Sequence, residues 1–286
     1  MDQELLDTSR YRITNLSVDS RFADRRFADS ADYQIRLPSA TKNIMRVALA
    51  SVEIPNVEWV FSSAHGNLTY DISTDGGATW ITITALQAGN YATAADLVAA
   101  VAASLAPHGI TLTLDPVAQS SVITIPLDMS IRWTSTVSAV AARATHWGLG
   151  YYLGFRQRII SEAGTTVSEA PVLVRANPYY LLQLSTPDPL ESLQHRLPEG
   201  AYVGAFAKIL LRNDAYTTEF DDGGNLLRKD YTFLSPTNIT NLRIRVLDPF
   251  GDVVDLRGTE WSLTLELYEV TSSRVHSKLM ETYARK

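Results

Sequence analysis

The stretch "DYQIRLPSATKNIMRVALASVEIPN", residues 32–56, decides the fold of this chain. Its first part sets Tyr33, Ile35 and Leu37 against polar neighbours, a period of two that predicts a half-buried strand. "NIMRVALASVEIP" continues in the same style and stops at Pro55. Working outward, "NLTYDIS" and "TWITITAL" predict two more strands over 67–73 and 79–85. Asp75, Gly76 and Gly77 lie between them and supply the positive-φ positions of a tight hairpin, so the two strands should pair antiparallel.

One segment breaks the period. In "GNYATAADLVAAVAASLAPHG", Thr93 is an N-cap with Asp96 three residues on as its acidic partner. Leu97, Val98, Val101 and Leu105 form a helical stripe that Pro107 and Gly109 end. Strands "ITLTLD" and "SVITIPL" follow, so residues 67–126 read as a compact α+β unit. Downstream, "PVLVR", "PYYLLQL", "AYVGAFAKILLR", "NLRIRVLD" and "EWSLTLELYEV" carry the β-branched and aromatic bias of sheet. Pro249 and Gly251 in "LDPFGDVVDLRG" place a turn before the last long strand. Many strands, long polar loops and little helix predict a mainly β chain, a β-sandwich or jelly roll.

With 286 residues, 45% hydrophobic and 20% charged, the chain is long enough to bury a sizeable core. A formal charge of −6 argues against sequence-specific nucleic-acid binding. No apolar run approaches the ~20 residues of a membrane helix. The acidic opening "MDQELLDTSR" is wrong for a secretory signal, and the lack of cysteine suits synthesis in a reducing cytoplasm.

No motif supplies a reaction directly. "DISTDGGATW", residues 71–80, fits Ser-x-Asp-x-Gly-x-Thr-Trp with Ser73, Asp75, Gly77, Thr79 and Trp80. That pattern resembles the Asp-box of sialidases and related β-propellers, which would imply a glycosidase. In propellers the box recurs at blade spacing, whereas here it occurs once, so a structural hairpin is the better reading. The histidines, His65, His108, His146, His195 and His276, are scattered and give no helical zinc spacing. The acids Glu219, Asp221 and Asp222 lack the alternating ligands of a calcium loop. No nucleophile elbow or phosphate-binding glycine loop is present, and "GLGYYLGF" reads as a buried turn where glycines let aromatics pack closely. Neither a cofactor nor a metal is expected.

The near-repeat "RFADRRFADS" closes a polar leader, residues 1–31. Its bland reading is a solvated arm of alternating charge. Its functional reading is an assembly arm that docks on a neighbouring subunit through Arg21, Phe22, Arg26 and Phe27.

The order of the motifs carries a further resemblance. Ser20-Arg21, then Tyr33-Gln34-Ile35-Arg36-Leu37, then Glu53-Ile54-Pro55-Asn56 are similar to the opening of penton and minor capsid proteins of large icosahedral double-stranded DNA viruses and their virophage-like relatives. "GNYATAADLVAAV" resembles that family's turn into a helix, and "YLGF" at 152–155 the end of its inserted unit. "FAKILL" and "NLRIRVLDPFGDVVDLRGTEWSLTLELYE" resemble its closing strands, with Glu260 where an aspartate is commoner. The likeness spans most of residues 17–270.

It implies a jelly-roll sandwich built from residues 32–56 and 169–270, an inserted α+β subdomain at 57–168 and a tail at 271–286. It further implies a non-catalytic structural virion protein, with a homopentamer at five-fold vertices ahead of a sub-facet position. Its partners would be neighbouring major and minor capsid proteins. It would be made in the host-cell cytoplasm and reside in the virion. A carbohydrate-binding β-sandwich that attaches to host glycans is the alternative. Exposure of Trp80, Trp133 and Trp147 on one face would favour it.

Overall fold

The computed structural model describes residues 11–37, 41–133, 148–175, 177–197, 200–221 and 229–270. The chain divides into two compact units, one from residues 1–58 and 178–286, the other from 59–177.

The first unit opens with β1 (Tyr11–Asp19), β2 (Arg25–Ala28), β3 (Asp32–Arg36) and β4 (Ile44–Pro55). The second unit follows with β5 (Thr69–Ser73), β6 (Ile81–Thr84), α1 (Ala94–Leu105), β7 (Thr111–Leu114), β8 (Ser120–Ile125) and β9 (Ser130–Arg132). It closes with α2 (Leu149–Tyr152), β10 (Ile159–Ile160) and β11 (Gly164–Pro171). The chain then returns to the first unit through β12 (Tyr179–Ser185), β13 (Leu193–Arg196), β14 (Tyr202–Ala205) and β15 (Ala207–Leu210). β16 (Thr218–Asp221), β17 (Asp230–Thr237), β18 (Asn241–Leu247) and β19 (Ser262–Val270) complete it.

Two five-stranded sheets make the sandwich of the first unit, and β13-β14 forms a separate hairpin. One runs β1-β19-β4-β16, with β17 also on β4, and the other runs β15-β12-β18-β3-β2. The pairings nest: β1 with β19, β3 with β18, β4 with β16 and β17, and β12 with β15, all antiparallel. Outermost strands pair with outermost and innermost with innermost, which is a long hairpin wrapped twice around one core. That is the jelly roll, with the second unit inserted between β4 and β12. Side chains from both sheets share the core, among them Val52, Ile54, Leu263 and Leu265 facing Tyr33, Tyr180, Leu182 and Ile244. Trp261 donates its indole N–H to the Ser30 carbonyl at 2.8 Å and meets the Tyr33 ring edge-on at 5.9 Å.

β4 shows how its sequence does this. Ile44, Val47, Leu49, Val52 and Ile54 are buried, but strict alternation fails at two register shifts against β19. Each bulge inserts a residue and returns the apolar side chains to the core face.

In the inserted unit α1 buries Leu97, Val98, Val101 and Leu105. Its N-terminus is a capping box, with Asp96 N–H donating to Thr93 Oγ1 and Thr93 N–H to Asp96, both at 3.1 Å. Two small sheets, β10-β9-β5-β6 and β11-β8-β7, complete the unit's separate core. Trp133 lies in that core, stacked on Phe155 at 5.0 Å, and Gly150 of α2 packs so closely that a Cβ would stand 2.3 Å from Trp133 Cγ.

Two boundaries differ from the sequence expectation. Residues 11–28 are not a solvated arm: β1 pairs with β19 along nine residues and β2 joins β3. Only Val18 of β1 is buried, so the strand's side chains read as polar while its backbone is held by the sheet. The insertion also ends after residue 168, because β11 pairs with β8 and Val172 closes the second core. The tail at 271–286 lies outside the described residues.

Candidate functional site

The Asp-box residues form the tip of the β5–β6 hairpin, whose register runs Thr69 to Thr84 through Ile72 to Ile81. Gly76 and Gly77 take φ of +69° and +97°, which L side chains rarely adopt. Ser73 Oγ donates to Asp75 at 2.6 Å and accepts the Gly77 N–H at 2.8 Å. Asp75 accepts the Thr79 N–H at 2.9 Å and the Thr79 hydroxyl at 2.6 Å. Donation from Ser73, and then from Thr79, holds the Asp75 carboxyl well below the ordinary carboxylate range. A glycosidase acid needs its pKa raised, so this residue is tuned the wrong way for that role.

Trp80 stands beside the tip. The Arg132 guanidinium lies 4.4 Å from its ring, and Arg132 is itself fixed on buried Asp71 by hydrogen bonds of 2.9 and 2.7 Å. Thr82 donates to the same aspartate at 2.7 Å. The side chains of Asp71, Ser73, Asp75, Thr79 and Thr82 are thus engaged within the hairpin and its neighbour β9. Trp133 is 1% exposed and so unavailable to a sugar, while Trp147 lies outside the described residues.

The leader residues fall at the corner between β1 and β3. Arg21 grips Asp19, with Nε 3.0 Å from both carboxylate oxygens, and Phe22 beside it is 76% exposed. Arg26 reaches Glu260 and the Ser20 carbonyl, both at 2.9 Å. Ser20 donates to the same glutamate and accepts the Trp261 N–H at 3.0 Å. This latch ties the corner to the turn before β19, so Arg26 holds the fold of its own subunit. Phe27 is 41% exposed, with the Arg25 and Arg243 guanidinium groups at 4.5 and 4.2 Å from its ring.

Sequence reasoning missed Arg243 and Arg245. Both project from β18 beside Asp32, with Arg243 held at 2.8 and 2.7 Å and Arg245 at 3.6 Å. Their signal was present in "NLRIRVLD", where arginine alternates with the core residues Leu242, Ile244 and Val246.

Among the described residues the histidines do not converge. His65 lies 3.1 Å from the Val60 carbonyl and His195 lies 3.0 Å from that of Pro249, while His146 and His276 lie outside the described residues. Glu219 accepts from the Asn213 backbone N–H at 2.5 Å, Asp221 pairs with Lys229, and Asp222 lies outside the described residues. Among the described residues no group of His, Asp and Glu is placed to hold a metal ion, and no helix is long and apolar enough to cross a membrane.

The fold defines a class, a single jelly roll with an α+β insertion. No family model matches this chain, and no curated protein matches it. Among solved structures it is similar to the crystal structure of a selenomethionine-labelled mavirus penton protein, with a TM-score of 0.47 and 12% identity, covering 91% of this chain and 99% of that one.

Proposed function

We propose that this chain is a structural virion protein without catalytic activity, penton-like ahead of a generic minor capsid protein. It would close into a five-membered ring at capsid vertices through lateral contacts of its jelly roll and meet neighbouring capsid proteins there. The virion would be its final location and the host-cell cytoplasm its place of synthesis. The nested strand pairing carries this reading, because it builds a sandwich with lateral edges at β1, at β16 and β17, at β2 and at β15. Such edges are surfaces that a closed assembly can pair or cover. The order of sequence motifs from Ser20-Arg21 to the β19 strand supports it independently. The exposed leader aromatics Phe22 and Phe27 belong to the proposed contact surface.

A reconstruction of purified particles tests the position. Density for this sandwich at the five-fold axes supports the penton version. Density only beneath the facets removes that version and leaves a minor capsid protein.

A further inference from the structure

The two outer faces of the jelly-roll sandwich carry opposite charge. Alternation along a strand sends every second side chain away from the core. On the second sheet, Arg25, Gln34 and Arg243 share one row across β2, β3 and β18. Asp32 and Arg245 pair in the adjacent row, and Arg36 stands opposite Asn241 on the other side. The β13–β14 hairpin covers the far part of this face, where Gln183 donates to the Gly204 carbonyl at 2.6 Å and Leu181 packs with Ala205.

The part that no described element covers holds four arginines, Arg25, Arg36, Arg243 and Arg245, against Asp32. Asp24 at its margin accepts the Arg36 backbone N–H. Arg243 and Arg245 turn to Asp32, but Arg25 and Arg36 are exposed and have no carboxylate partner among the described residues.

The outer face of the first sheet is the complement. Asp19, Ser262 and Glu53 share a row, with Glu266 and Asp230 further along. Arg46 pairs with Asp230 at 2.5 Å, and Arg21 at the margin pairs with Asp19. Glu53 and Glu266 meet only hydroxyl donors among the described residues, Ser51 and Ser262 for the first and Tyr268 for the second. Among the described residues, each face therefore keeps two charges without a partner of opposite sign.

We infer that a second copy of this chain docks its carboxylate face, around Glu53 and Glu266, against the arginine face around Arg25 and Arg36. This rests on the assembly reading above and adds, beside the strand edges, two sheet faces that would meet. Matched opposite potentials steer and orient two copies. A face that meets a different face makes a head-to-tail contact, which closes into a ring when the rotation allows. A chain of net charge −6 repels nucleic acid as a whole, so a carboxylate surface is the better complement to this patch.

Sedimentation of the full chain tests this. Association of the unaltered chain should weaken at least about tenfold when salt rises from about 0.05 to about 0.5 M. Arg25→Glu with Arg36→Glu should weaken it similarly, as should Glu53→Lys with Glu266→Lys. The chain carrying all four reversals should recover association, which a merely unfolded variant would not. An oligomer indifferent to salt and to both reversals overturns this contact but leaves assembly standing. So does a four-fold variant that stays dissociated, or an arginine face that captures a DNA oligonucleotide and loses it on reversal. A chain that is monomeric at every salt and concentration removes both readings. Should a reversed variant misfold, the salt series on the unaltered chain decides alone.

Discussion

Asp75 accepts three hydrogen bonds from Ser73 and Thr79, and their removal should open the hairpin tip without touching the core. In Asp75→Ala, amide exchange at Thr79 should quicken markedly while the melting temperature stays nearly unchanged. Exchange of the whole domain at the same rate would contradict a local role. Because the folded carboxyl titrates below its unfolded value, this support is complete above the ordinary carboxylate range. It should fade as pH falls below that range and be gone once pH passes below the lowered folded pKa, which a carbon-detected titration of Asp75 would locate. Gly150 is the opposite kind of residue, silent in chemistry and strict in space. A Cβ there meets three Trp133 atoms within 2.6 Å, so Gly150→Ala should destabilise the inserted unit by about 1–3 kcal/mol or more in thermal unfolding. An unaltered melt would mean that Trp133 can move aside.

At the scale of elements, what could be read from the chain depended on how local the cause was. α1 was legible because Thr93, Asp96 and the stripe from Leu97 to Leu105 lie within 13 residues of one another. Thr93→Ala should cost about 1 kcal/mol in chemical denaturation, while Thr93→Ser should restore most of it. Equal loss in both would point to packing instead of the cap. β1 was not legible, since its partner β19 is some 250 residues away, Tyr11 pairing with Val270, and most of its side chains face outward. The duplicated leader makes the same point. Its first copy forms a 3-10 turn at Ser20–Phe22, and its second forms β2 and ends at Asp29 with φ of 48°. Identical local sequence takes two conformations because Asp19 caps one and β3 pairs with the other.

For the whole molecule, period-two alternation in residues 32–56 was enough to announce the sheets, but their nesting was visible only through the order of later motifs. The charged faces were hidden for a further reason. Arg25, Arg36, Arg243 and Arg245 come from three strands, and only the register gathers them on one side. A capsid building block must assemble, so the copy number of this chain is the decisive test of the proposed role. Native mass spectrometry of the purified full chain at low ionic strength should show a closed species of five times the chain mass. A monomer at every concentration would contradict the account.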